Sequence, residues 1–139
     1  MIIRDLEDVK TVEWGNGLSR RFLLEADGMG YTVTDTIVNK GTKTLIEYAN
    51  HLEACYCIEG RGKVIEMDGT EHDIFPGRIY ALDKHDTHWL LGGEDEDLRL
   101  VCMFTPALTG DEAHRISESG VHPSVYGEVV GDGEVVAGS

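Results

Sequence analysis

Apolar and polar residues alternate along short stretches of the chain, and turn-forming residues separate these stretches. Between Tyr31 and Val38, the threonines at positions 32, 34 and 36 share one side, while Tyr31, Val33 and Ile37 share the other. A period of two is typical of a β-strand, because successive side chains of a strand point to opposite faces. This stretch therefore predicts a strand with one polar face.

The same kind of pattern predicts strands along most of the chain before residue 105. Asp68-Gly69 is a strong signal for a two-residue hairpin, and Phe75-Pro76-Gly77 marks another turn. Long helical periodicity is missing, and only residues 109–114 predict a short helix, with Thr109 or Asp111 as its cap. The predicted strands lie at 31–38, 44–48, 53–59, 62–67, from about 71, 79–82, 88–91 and 98–104.

Many short strands, together with 17 glycines and only 3 prolines, predict an all-β fold. Strands of similar length with regular turns favour a small closed barrel or a double-sheet jelly roll, with one or two short helices. Such a barrel can hold a site in its interior. We expect one domain over residues 1–120 and a flexible acidic tail over 121–139.

Composition narrows the classes of partner. The 139 residues include 26 acidic side chains against 12 lysines and arginines, a formal net charge of −14. A surface this negative repels phosphates, which argues against nucleic acid and anionic membranes as partners. No apolar run reaches the roughly 20 residues of a membrane span, and the N-terminus lacks the order of a signal peptide. Because 3 cysteines favour reduced thiols over a disulfide scaffold, we expect a cytoplasmic protein.

Glu53 opens an apolar strand and is a candidate functional residue. Strand alternation places it on the same face as Cys55 and Cys57. If that face points into the barrel, the carboxylate is buried, and a buried charge requires a cation or hydrogen bonds. The alternative is that Glu53 lies at a strand end in solvent.

Tyr80 and His88 are the second group of candidates. A hairpin centred near Lys84 would place them opposite each other, and directly opposed residues have Cβ atoms about 4.5–5.5 Å apart. A phenol and an imidazole on an inward face near Glu53 would form an N/O/O metal site. Such a site suits Fe(II), Mn(II) or Zn(II).

Other side chains compete for the same role. His51 and His85 are alternative ligands, whereas His72 is predicted to be a surface strand residue. Cys55 and Cys57 could be thiolate ligands, although two cysteines in an apolar strand are more often small lining residues.

Two segments resemble the two motifs of the cupin superfamily. Gly41, Glu53 and Gly60 have the spacing of the two glycines and the glutamate of the first motif. Its usual pair of histidines is replaced by Glu47 and Ala49, so an ordinary cupin metal site is absent. In the second motif, the segment Pro76-Gly77-Arg-Ile-Tyr80 carries a tyrosine where cupins usually have a histidine.

Three longer segments are similar to the ectoine synthase family within this superfamily. They are HLEACYCIEGRGKV, PGRIYALDKHDTHWL and VCMFTPALTGDEAHR, and the similarity runs from Met1 to about His114. The resemblance implies a cupin-type barrel and an iron site held by Glu53, Tyr80 and His88, with Zn(II) and Mn(II) as alternative metals. It also implies closure of N-γ-acetyl-L-2,4-diaminobutyrate to ectoine with loss of water, in a head-to-tail homodimer.

Further site residues follow from the same resemblance. Catalytic roles would fall to Tyr48 and His51, and to Glu112 and His114 as a lid that manages protons. The substrate would be held by Trp14, Thr34, Thr36, Phe104 and one of two arginines, Arg20 or Arg21, which would pair with its carboxylate.

Two other functions compete with this interpretation. The first is a cupin-like module that binds or senses a small osmolyte without transforming it. The second is a related cupin enzyme with a different metal, such as an isomerase or a dioxygenase, against which the replacement of the paired histidines argues.

Overall fold

The structure is a computed structural model that describes residues 1–110 and the backbone of residues 128–130. Its strands are β1 (Lys10–Glu13), β2 (Gly17–Leu23), β3 (Thr32–Val38), β4 (Lys43–Glu47), β5 (Leu52–Glu59), β6 (Gly62–Glu66), β7 (Glu71–Ile74), β8 (Ile79–Leu82), β9 (His88–Gly92), β10 (Leu98–Thr105) and β11 (Glu128–Val130). They form a six-stranded first sheet, in the order β1-β2-β3-β10-β5-β8, and a five-stranded second sheet, in the order β11-β4-β9-β6-β7.

The predicted all-β class is confirmed, and the predicted strands agree closely with β3 to β10. The Asp68-Gly69 turn joins β6 to β7, and Gly69 has a φ of +94°, in the region that glycine adopts easily. The pattern did not single out β1 and β2, because the inward side of β2 carries Ser19 and Arg21 rather than apolar residues. Short 3-10 helices at Leu6–Asp8 and Glu25–Asp27 complete the described elements.

The hydrophobic core lies between the two sheets. Val38 and Leu100 contribute to it from the first sheet, and Ile46 and Leu90 from the second. Facing sheets pack about 10 Å apart, so inward side chains from the two layers meet. Among the described residues, no helix has the length and apolar character needed to cross a membrane.

The predicted hairpin between Tyr80 and His88 is wrong. β8 pairs with β5 in the first sheet, whereas β9 pairs with β4 and β6 in the second. The connection crosses from one sheet to the other, and His85 within it, at a φ of +56°, donates from Nδ1 to the Tyr48 carbonyl at 2.7 Å. Tyr80 and His88 therefore approach each other across the two layers instead of across a hairpin.

Gly60 shows why the first motif requires glycine at its end. Its φ is +79°, and a Cβ there would lie 1.9 Å from the carbonyl oxygen of Asp97. Only a residue without a side chain permits this approach of the two backbones.

Several expectations concern the C-terminal region. The short helix over 109–114 falls almost entirely outside the described residues, as do Glu112 and His114. Within the predicted flexible tail, the backbone of β11 pairs with β4. The domain boundary near residue 120 and the mobility of the tail stay predictions.

Candidate functional site

A small cavity lies between the sheets, as expected for a barrel with an interior site. Its volume is about 30 Å³, room for about one water molecule, so a larger ligand must move lining side chains apart. The lining residues are Trp14, Ser19, Thr36, Ile46, Tyr48, Glu53, Cys55, Tyr80, Leu90, Leu100, Cys102 and Phe104.

A row of polar and sulfur-containing side chains crosses the inner face of the first sheet. In strand register, Arg21 is opposite Thr34, Thr34 is opposite Cys102, Cys102 is opposite Cys55, and Cys55 is opposite Tyr80. Directly opposed residues point to the same face, so the five side chains form one continuous row. The row joins a cation at β2 to a phenol at β8.

Glu53 lies next to this row and is 6% exposed, so the expectation of an inward carboxylate is confirmed. Burial raises its pKa well above the ordinary value, and the neighbouring Cys102 adds to this effect. Ligand atoms of Glu53, Cys55 and Cys102 lie within 4.8 Å of one another. This cluster could hold a metal ion, because a cation stabilises a buried carboxylate.

The two thiols of the cluster differ in character. Hydrogen bonding from the Cys55 thiol lowers the pKa of Cys102, with further help from Thr36 and Thr34, while burial raises the pKa of Cys55. Of the two thiols, Cys102 therefore gives up its proton more readily. Cys57, which the sequence suggested as a ligand, lies outside the cluster and donates to the Glu59 carbonyl.

His88 approaches from the second sheet and is 1% exposed. Its Nδ1 donates to the Asp86 carbonyl at 2.9 Å, and its buried Nε2 has no hydrogen-bond partner among the described residues. Burial lowers the pKa of His88, which favours a neutral ring with a lone pair on Nε2. The rings of Tyr80 and His88 have centroids 6.2 Å apart.

These observations fit a divalent metal ion. A buried carboxylate, a phenol and an imidazole with an unused lone pair are the donors that Fe(II), Mn(II) and Zn(II) accept. The sequence predicts one donor set, Glu53 with Tyr80 and His88, and the structure adds a second, Glu53 with Cys55 and Cys102. The second set was missed in the sequence because Cys102 becomes a neighbour of Cys55 only through the pairing of β10 with β5.

The two adjacent arginines point to opposite faces of β2. Arg21 is 2% exposed on the inner face, where its Nη1 donates to the Gly110 carbonyl at 2.7 Å. Arg20 lies on the outer face and donates to Asp35 at 2.5 Å, and Arg99 donates to the same carboxylate at 2.7 Å. Although burial opposes it, these hydrogen bonds from Arg99 and Arg20 lower the pKa of Asp35.

The other predicted site residues divide into two groups. Trp14, Thr36, Tyr48 and Phe104 line the cavity, and Thr34 hydrogen-bonds Thr36 through the side-chain oxygens at 2.9 Å. The remaining candidates are the histidines at 51, 72 and 85, and none of them lines this interior cavity.

Each of these histidines has another contact. His51 donates from Nδ1 to the Pro106 carbonyl at 2.8 Å and packs edge-on against Phe104. His85 holds the connection between β8 and β9, as described above. His72 is exposed and pairs with Glu66 at 2.7 Å, as predicted for a surface residue.

Comparison with known proteins identifies close relatives. Residues 1–126 match the family model described as ectoine synthase. An L-ectoine synthase of Halalkalibacterium halodurans is 50% identical over 133 residues, which cover 92% of this chain and all of the relative. One from Bordetella avium is 47% identical over 122 residues, or 82% of this chain and 89% of the relative.

Solved structures give the same result for the fold. An ectoine synthase from P. lautus matches with a TM-score of 0.75 and 44% identity, over 79% of this chain and 81% of the other. A cupin-superfamily sugar phosphate isomerase from Silicibacter pomeroyi matches with a TM-score of 0.58 and 22% identity, over 73% of both chains. The more distant match concerns the fold alone, and together the two confirm the predicted cupin architecture.

Proposed function

The chain belongs to the ectoine synthase family, and we propose that its interior cavity closes N-γ-acetyl-L-2,4-diaminobutyrate to ectoine. The α-amine nitrogen forms a bond to the carbon of the acetyl amide. The amide oxygen leaves as water, with two protons released by the nitrogens. The reaction makes the protein a lyase, and the comparisons support this enzyme rather than an osmolyte-binding module.

The metal ligands in this proposal are Glu53, Tyr80 and His88. The observation that carries the assignment is the buried Nε2 of His88, which has no partner within the described part of the chain. A metal held by the thiols would leave that nitrogen unsatisfied, at a cost of about 1–3 kcal/mol. When bound, the metal acts as a Lewis acid toward the amide oxygen. Fe(II) is the metal we favour, with Zn(II) and Mn(II) as alternatives.

Arg21 is the residue proposed to bind the substrate carboxylate. Its guanidinium lies on the same inner face as the cavity residues Ser19 and Thr36, and a planar fork of donors suits two carboxylate oxygens. Arg20 is unsuited to this role because Asp35 occupies it on the outer face. Thr34 and Thr36 supply hydroxyl groups beside Arg21.

The cavity walls hold the flexible substrate in a folded conformation. Trp14, Tyr48 and Phe104 supply aromatic surface, and the rings of Tyr48 and Phe104 meet edge-on at a centroid distance of 5.5 Å. Enclosure between such walls brings the amine and the amide together and excludes water from the ring closure. His51 acts in this scheme as a positioning residue for Phe104 rather than by contact with the substrate.

We assign proton transfer to side chains at or near the interior cavity. Tyr48 lines the cavity and is proposed to take part in proton transfer, and Glu112 and His114, outside the described residues, are proposed to act as acid and base. The 3 cysteines are all free and buried, which supports the expected reducing, cytoplasmic location.

Replacing Arg21 by lysine should weaken substrate binding. Arg21→Lys keeps the positive charge but removes the planar fork, so we expect KM to rise by about ten- to a hundredfold, with a smaller change in kcat. Steady-state kinetics with the acetylated diamine measures this effect. The matched control is Arg20→Lys, on the neighbouring residue and the opposite face, which should leave KM within about twofold. Equal effects of the two variants would contradict the assignment.

We also propose that the protein is a head-to-tail homodimer. The outer face of the first sheet exposes an apolar patch made of Tyr31, Leu52, Tyr56, Ile79 and Met103. A groove of about 600 Å³ runs beside Tyr31, Leu52 and Met103. Because contiguous apolar patches of this kind usually mark an interface, a second copy of the chain is the proposed occupant.

A charged residue in the patch should separate the dimer. Ile79 is 56% exposed and lies directly opposite Tyr56, so Ile79→Lys places an ammonium group within the proposed interface. We expect light scattering after gel filtration to give the mass of one chain instead of two. Met29→Lys, at a residue that is 50% exposed in a turn, is the control and should stay dimeric. A dimeric Ile79→Lys would place the interface elsewhere.

A further inference from the structure

A second cavity opens on the far side of Tyr80. Its volume is about 530 Å³, and Tyr80 is the residue that lines both it and the interior cavity. The second cavity lies between the β6-β7 turn and the connection from β8 to β9. Its lining residues are Val64, Glu66, Met67, Asp68, His72, Tyr80, Ala81, Leu82, Asp86, Thr87 and His88.

The chemistry of this cavity suits a cation. Glu66, Asp68 and Asp86 provide carboxylates and His72 an imidazole, and no lysine or arginine is among its described lining residues. Glu66 and Asp68 are exposed, whereas His88 is fully buried, so the acids lie at the rim and His88 at the floor. A cleft lined by one sign of charge concentrates ions of the opposite sign.

Strand register connects the rim to the floor. Glu66 is the direct cross-strand neighbour of His88, so the two side chains share one face of the second sheet. The carboxylate of Glu66 also contacts His72 Nε2 at 2.7 Å. An imidazole, a carboxylate and a second imidazole therefore follow one another from the surface to a buried nitrogen that has no hydrogen-bond partner among the described residues.

We propose that divalent cations reach Glu53, Tyr80 and His88 through this acidic cavity rather than through the interior cavity that is proposed to hold the substrate. The inference rests on the metal site of the proposed function. Glu66 and Asp68 attract the hydrated ion, and Glu66 passes it to His88. The interior cavity, on the other side of Tyr80, is left to the substrate, so the metal can be replaced without passing through the substrate space.

The test measures the rate at which metal-free protein takes up Co(II), followed by the visible absorption of the bound ion at low and at high salt. The variant Glu66→Gln/Asp68→Asn removes the rim charges and keeps similar shapes and hydrogen bonds. Asp86 is left unaltered because its backbone carbonyl accepts the hydrogen bond from His88, so a change there would not test the rim charges alone. The control, Glu94→Gln/Asp95→Asn, makes the same change in net charge in an exposed loop outside the cavity.

The rim variant should take up Co(II) on the order of three- to tenfold more slowly at low salt, with a weaker dependence on salt and an unchanged final spectrum. The control should stay within about twofold of the unaltered protein. Equal slowing in both variants, or none in either, would overturn the entry route while the metal site stands. If His88→Ala takes up Co(II) as the unaltered protein does, the metal site and the entry route both fail.

Discussion

Glu53→Gln should lose its bound metal and nearly all turnover. The amide has almost the same shape as the carboxylate but no charge, so it removes the anionic donor that faces the cavity while sparing the packing. Loss of Lewis-acid assistance worth several kcal/mol corresponds to a fall in kcat on the order of a thousandfold or more. Elemental analysis of protein loaded with Fe(II) under anaerobic conditions, together with detection of ectoine, measures both quantities.

The matched control is Glu59→Gln at the far end of the same strand. Glu59 is exposed, and its carboxylate oxygen lies 3.6 Å from a guanidinium nitrogen of Arg99. It is therefore a surface charge that does not face the cavity. We expect metal content and turnover to be unchanged in this variant. Full activity of Glu53→Gln, or of protein that has been thoroughly freed of metal, would contradict the proposed mechanism.

The variant His88→Ala should show which of the two donor sets that share Glu53 binds the metal. If the metal is held by Glu53, Tyr80 and His88, removal of the imidazole lowers metal affinity by about a hundredfold or more, because even residues that only support ligands contribute ten- to a hundredfold. Cys55→Ser and Cys102→Ser should then keep their affinity within about tenfold. Competition with a coloured chelator for Fe(II) or Zn(II) measures all three constants.

The opposite ranking would assign the metal to the thiols. In that case Cys55→Ser and Cys102→Ser would lose the metal, and His88→Ala would keep it. Cys57→Ser is the control for the general effect of removing a buried thiol, because Cys57 lies on the same strand face but outside the cluster. Its metal affinity should equal that of the unaltered protein.

Much of the fold could be predicted from the alternation of side chains. Strands β3 to β10 follow from it because their two faces differ in polarity or because they are short apolar stretches bounded by turn residues, and the Asp68-Gly69 turn fixes one hairpin. β2 was not predicted because Arg21 points inward, and a charged residue on the inner face breaks the expected alternation of apolar and polar residues. The connection between β8 and β9 was misjudged because five residues can form either a hairpin or a crossing between layers.

The site was predictable in its residues but not in its arrangement. Alternation shows that Arg20 and Arg21 point to opposite faces, but only the pairing of β2 with β3 shows which face is inward. Likewise, the sequence suggests Cys57 as the thiol that accompanies Cys55. In the structure that thiol is Cys102, from a strand more than forty positions away. Contacts between distant strands depend on the topology, which local patterns do not encode.

The proposed ligands come from both layers of the fold, with Glu53 on β5, Tyr80 on β8 and His88 on β9. A metal bound by all three residues would link the two sheets. Its binding free energy would add to the stability of the folded chain. Protein that has lost the metal then unfolds more often and is degraded sooner. In a cell short of the metal, the amount of the enzyme would fall along with its activity.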